Sequence, residues 1–176
     1  MIKDILKNII LLIGKKEYMP LEKKEKLERI LNYSLGFLCF TSANEDFVQC
    51  LFKFSFEIIL VELLKLNELM NIKIWQILSN MASSTSDHLT QLLLEAGVCD
   101  HILNIISRDL ENLNPKCLKE VIFLSSNICA GSISQVNHLI KCGIVNKIIN
   151  LNVELKKLDI LNKENIDYLK VKFKFK

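Results

Sequence analysis

Glycine and proline are scarce in this chain, with five Gly and two Pro among 176 residues. So few turn-forming residues exclude a fold of many short strands joined by tight turns, and helices become the default element. Charge of one sign is also lacking. Twenty-three Lys and Arg stand against 20 Asp and Glu, interspersed instead of gathered on a basic face, so no nucleic-acid partner is expected. There is no stretch of about 18 charge-poor apolar residues, so no membrane span and no membrane partner are expected. Catalytic signatures are absent too: there is no Gly-x-Ser-x-Gly elbow and no phosphate-cradling glycine loop, and the chain is not read as an enzyme.

Cysteine is not lacking, but its pattern is. Cys39, Cys50, Cys99, Cys117, Cys129 and Cys142 lie in apolar runs with no Cys-x-x-Cys pair, which reads as buried free thiols in a reducing compartment. His88, His101 and His138 fall in separate helical segments. They are read as too dispersed for ligation, and neither a metal nor a cofactor is expected. The segment 1–14 has a short uncharged run preceded by Asp4, with no small-residue cleavage site before Lys15, so it is not read as a secretory signal.

What is present is a repeat. Ile77-Leu78-Ser79-Asn80-Met81-Ala82 is followed by a short helix closing at Leu94-Glu95-Ala96-Gly97 and then by Val98-Cys99-Asp100-His101-Ile102. Leu124-Ser125-Ser126-Asn127-Ile128-Cys129-Ala130 is likewise followed by a helix closing at Cys142-Gly143 and by Ile144-Val145-Asn146. The asparagines are 47 residues apart and the glycines 46, a period proper to solenoids of two- or three-helix units. Ser and Asp over 84–87 are placed to cap a short first helix, and Gly97 to close it in the left-handed conformation. Val98, Ile102, Leu103, Ile105 and Ile106 form the buried stripe of a second helix. Asn114-Pro115 reads as N-cap and first residue of a longer third helix through Cys129. Upstream, helices are expected over 47–54 and 56–66, with Ser55 where the glycine would be, then over 67–82. A third helix over 21–40 precedes them. At the other end, 153–170 is expected to form a last third helix acting as a cap.

Leu-Ser-Asn-Met-Ala-Ser over 78–83, Leu-Glu-Ala-Gly over 94–97 and Ser-Asn-Ile-Cys-Ala-Gly over 126–131 resemble the repeats of importin alpha. The resemblance implies an all-α, armadillo-type right-handed superhelical solenoid of about three to four repeats. The chain is divided as one domain over 1–176, with a partial repeat over 1–40, repeats over 41–82 and 83–130, a repeat or cap over 131–170 and a basic tail over 171–176. The function implied is a nuclear import adaptor, in cytoplasm and nucleus, that binds the basic localisation peptides of cargo proteins weakly in a concave groove. The alternative is an armadillo interaction scaffold without import activity. Importin beta or other proteins are the further partners implied, although no importin-beta-binding segment is visible.

In that family, asparagines along the third helices hydrogen-bond the peptide backbone, tryptophans form slots for Lys and Arg stems, and acidic groups take the charged heads. Residue by residue, Asn127 and Asn80 match the asparagine, Phe123 and Gln76 stand at the slot position, and Glu120 matches the acidic position, where the preceding repeat has Lys73. Phe keeps a ring face but is a poorer cation partner than Trp. Trp75 is one residue off the slot, turned by about 100° from the face, and is read as a packing residue. In the first repeat the corresponding face is expected near Leu31, Ser34 and Leu38.

Overall fold

The computed structural model describes residues 3–4, 6–8, 11, 20–65, 71–84 and 86–159. The described part of residues 3–11 is helical and sets Leu6 fully inside the core. Nine α-helices follow among the described residues: α1 (Leu21–Thr41), α2 (Glu45–Lys53), α3 (Phe56–Leu63), α4 (Asn71–Ala82), α5 (Asp87–Glu95), α6 (Val98–Ile106), α7 (Pro115–Cys129), α8 (Ile133–Lys141) and α9 (Ile144–Asp159). A single 3-10 turn, Leu110–Asn112, joins α6 to α7. No strand occurs among the described residues.

The helices recur as short, medium and long. α2, α3 and α4 make one unit and α5, α6 and α7 the next, while α8 and α9 begin a third. What defines each unit is a corner between its first two helices, held by one residue in the left-handed region. Gly97 has φ 87° and Gly143 φ 79°, and Ser55 takes the same role at φ 53°. Glycine suits the position because it has no Cβ to clash with the preceding carbonyl. The corner turns α6 by 71° from α5.

Caps start the helices where the sequence places them. The Asn114 side chain accepts from the amides of Lys116 and Cys117 ahead of Pro115, and the Asn44 side chain accepts from Phe47 N–H at 3.2 Å. Ser132 and Gln135 form a reciprocal capping box on α8. The cap expected over 84–87 differs. Ser86 is the N-cap of α5 but makes no side-chain cap bond. Ser84 Oγ instead accepts from Ser86 N–H and donates to Glu45 Oε1 at 2.7 Å, tying this loop to the N-terminus of α2 in the preceding unit.

One core runs through all units. α4 lies at its centre, packed between α1 and α7. Trp75 is 1% exposed, and Ile74, Ile77, Leu78 and Met81 are equally closed off from water, so the packing role read for Trp75 holds. Each such side chain contributes about 1.5–3 kcal/mol by burial. The long third helices thus supply the continuous wall on which the shorter helices pack.

The C-terminal part differs from expectation. No break separates a second helix from a third between Leu151 and Val153; α9 is continuous for 16 residues. Neither Gly nor Pro interrupts it, and Ile144, Ile148, Leu151 and Leu155 carry one apolar stripe through the point where a cap was expected. The remainder of the expected cap helix and the basic tail lie outside the described residues. No single described helix is long and apolar enough to cross a membrane.

Candidate functional site

The third helices α1, α4 and α7 lie side by side and run in the same direction, so equivalent residues on them line up across the stack. Gln76, Asn80, Glu120, Phe123 and Asn127 are all half-buried. On α7, Glu120, Phe123 and Asn127 follow at i, i+3 and i+7, which keeps them on one face.

A ladder of polar bonds crosses this face. Cys39 Sγ–H donates to Gln76 Oε1 at 3.3 Å, and Gln76 Nε2 donates to Glu120 Oε1 at 3.4 Å, a chain reaching from α1 through α4 to α7. One turn further along, Asn80 Nδ2 donates to Ser42 Oγ at 2.9 Å and Asn127 Nδ2 to the Ser79 carbonyl at 2.9 Å. Ser79 Oγ returns a bond to the Glu120 carbonyl at 3.2 Å. The Cys39 thiol is pushed up first by burial and then by the nearby charge of Glu120, with Lys73 opposing. The ladder therefore carries one carboxylate and one ammonium in half-buried surroundings.

The structure brings Gln76, Asn80, Glu120 and Asn127 together in this ladder and sets Phe123 one turn from Glu120. Both asparagines direct one amide N–H at the neighbouring third helix. Among the described residues, the Oδ1 atom of each has no protein partner, and a second N–H remains on each amide. The two amides are at once latches between units and open hydrogen-bonding groups along the face.

On α1 the expected register is displaced. Leu31 and Leu38 are 1% exposed and belong to the core. Asn32, Cys39 and Ser42 meet α4 instead. Asn32 holds Lys73, whose Nζ donates to its side-chain Oδ1 at 2.6 Å and to its carbonyl at 3.1 Å. A helix face moves by about 100° for each residue of register, so a slip of a single position exchanged core residues for face residues.

A second grouping was missed. Cys99, His138 and Cys142 converge so that their ligand atoms all lie within 4.8 Å of one another. The three histidines lie in separate helices, yet His138 stands beside two thiols. Its spacing of four from Cys142 was a local signal, whereas Cys99 comes from the preceding unit and shares no local spacing with either.

Comparison with solved structures decides the architecture. A designed armadillo repeat protein in complex with the peptide (KR)4 matches with TM-score 0.64 and 19% identity, covering 82% of this chain and 55% of that one. The fold is an armadillo-type solenoid. A computationally designed armadillo repeat protein for modular peptide recognition matches with TM-score 0.63 and 21% identity over 70% of this chain and 50% of that one. Another designed armadillo repeat protein matches with TM-score 0.62 and 18% identity over 81% of this chain and 56% of that one. The chain spans about half the length of these armadillo structures. No family model and no curated protein sequence matches it. The likeness establishes the armadillo architecture, and nothing in it singles out importin alpha.

Proposed function

We propose that this protein is an armadillo-type interaction scaffold that holds an extended segment of a partner protein along the face made by α1, α4 and α7. The observation that carries this reading is the alignment of Asn80 and Asn127 on adjacent third helices, each with an amide oxygen and an N–H left over. An extended peptide presents alternating N–H and C=O groups, and amides repeated along a groove can pair with them without reading sequence. Such bonds position a chain and involve no catalytic step. Phe123 and the stems beside it would supply the apolar contact.

A second, narrower reading is the import adaptor, which takes Lys- and Arg-rich peptides. Glu120 favours it as an anionic group on the same face, and so does the (KR)4 peptide held by one of the designed armadillo proteins. Lys73 weighs against it, a cation that approaches the same face and is bonded there to the uncharged oxygens of Asn32.

Titration of fluorescent peptides at low salt separates the readings. A Lys-Lys-x-Lys peptide and a neutral extended peptide of equal length are compared on wild type, Asn127→Ala and Phe123→Ala. The scaffold reading expects both peptides to bind with Kd of about 10 μM or poorer, and each substitution to weaken binding by about tenfold, or about 1.4 kcal/mol. The adaptor reading expects only the basic peptide to bind. Binding of neither peptide, with hydrogen exchange across 115–129 unchanged by both, would reject the face as a peptide site. Because Asn127 also latches α7 to α4, its variant is compared at equal folded fraction.

A further inference from the structure

Equivalent corners of two successive units meet at one point. Cys99 is the second residue of α6, two positions after the left-handed Gly97, and its side chain is buried. Cys142 ends α8, one position before the left-handed Gly143. His138 lies one turn before Cys142, and the Cys142 N–H bonds to its carbonyl at 3.0 Å, so the backbone is helical between them. That spacing of four puts the imidazole and the thiol on the same side of α8. Packing of α9 against α6 brings Cys99 to meet them.

We infer that Cys99, His138 and Cys142 form a binding site for a thiophilic divalent cation, Zn(II), with the fourth coordination position left open. Two thiolates and an imidazole are a donor set that suits zinc in tetrahedral geometry. Ligand atoms within 4.8 Å of one another need to close to about 3.8 Å, the separation implied by Zn–S bonds of about 2.3 Å at tetrahedral angles. On binding, each thiol loses its S–H proton to solvent and a zinc–sulfur bond replaces it. The neutral imidazole donates a nitrogen lone pair, and the two thiolate charges balance the two positive charges of the ion.

The electrostatics of the corner set what a bound ion has to offset. The Cys99 thiol is pushed up to about 12, first by burial and then by Cys142, with Asp100 adding to the effect. The Cys99 thiol therefore lacks a compensating cation, and a bound divalent metal would supply one. Packing as a small apolar residue accounts for Cys99 alone. It does not account for an imidazole and a second thiol aimed at the same point. Because Cys99 belongs to one unit and His138 and Cys142 to the next, the ion would staple successive units together.

The test uses the full chain, reduced and stripped of metal. Zinc chloride is titrated calorimetrically against a competing chelator, and Co(II) is added as a spectroscopic substitute. The site expects one zinc per chain with Kd of about 1 μM or tighter. It also expects a thiolate-to-cobalt charge-transfer band with tetrahedral d–d absorption, and a saturable rise in Tm. Cys142→Ser is expected to weaken binding about 100-fold and His138→Ala about tenfold, while Cys50→Ser, remote from the corner, changes nothing. Circular dichroism of each metal-free variant controls for folding. Absence of zinc uptake by the reduced wild type overturns the site, including the case where air oxidation instead joins Cys99 to Cys142. Zinc uptake unchanged by both His138→Ala and Cys142→Ser overturns it as well.

Discussion

Glu57 shows how a single side chain records the cost of its place. It lies in the first turn of α3, 5% exposed, and its Oε2 has no partner among the described residues. Burial raises its carboxyl above the usual 4.5, against smaller opposing effects from the helix amide and Lys3. A carboxyl raised in the folded state favours folding while protonated. Its contribution is complete below pH 4.5 and is lost as pH climbs through the higher folded value. Glu57→Gln should therefore raise Tm at pH 7, and the gap from wild type should close as pH falls to about 4. Melting both proteins across that range by circular dichroism checks it; an unchanged or lower Tm at pH 7 contradicts the burial argument. Glu57 was not legible in the sequence, because a Glu among apolar neighbours reads equally as an exposed position. Trp75 was legible, since its offset from the Asn80 register set its direction before any packing was known.

At the scale of the element, the corners between first and second helices explain most of what the sequence could reveal. Gly97 and Gly143 were recognisable because left-handed backbone favours glycine, and Ser55 because it interrupts two apolar runs at the same place in its unit. A serine there carries a conformational cost of about 1 kcal/mol that glycine does not. Ser55→Gly is expected to stabilise the protein by about 0.5–1 kcal/mol in urea denaturation. Gly97→Ala should destabilise it by about 1–2 kcal/mol. Nothing lies within 4 Å of a Cβ built on Gly97, so that cost reports backbone strain alone. The continuity of α9 past Leu151 was not legible for the converse reason: with no punctuating residue, an apolar stripe cannot show where one helix should yield to another. The face of α1 was misplaced by a single residue, which on a helix is enough to exchange inside for outside.

Across the whole molecule, cohesion between units comes from a few buried polar crossings added to the shared core. Gln135 is the clearest. It is 1% exposed, accepts from Ser132 N–H at 3.0 Å and donates to the Asp87 carbonyl at 2.6 Å, joining the N-terminus of α8 to that of α5 one unit earlier. Gln135→Ala would leave the Ser132 N–H unpaired and remove the bond to the Asp87 carbonyl, and should cost about 1–3 kcal/mol. Hydrogen exchange should rise in 133–159 before it rises in α4 and α7, since a solenoid frays from the unit whose interface is weakened. Uniform exchange across all units would show that the crossing is not local. The solenoid itself was legible from a period of 47 residues, whereas which atoms bridge one unit to the next was not. Sequence spacing describes a unit, and the bridges belong to pairs of units.

If the α1–α4–α7 face holds a partner segment as proposed, its latches would make gripping and stretching a single mechanical act. Asn80 and Asn127 hold adjacent third helices through the same amides that stand open to a visiting chain. A segment that drew those amides toward itself would relax the seams between helices and lengthen the repeat spacing. One that bridged their free oxygens would shorten it. The protein would then behave as a spring whose pitch is set by its cargo, and tension along the solenoid would in turn tune how firmly that cargo is held.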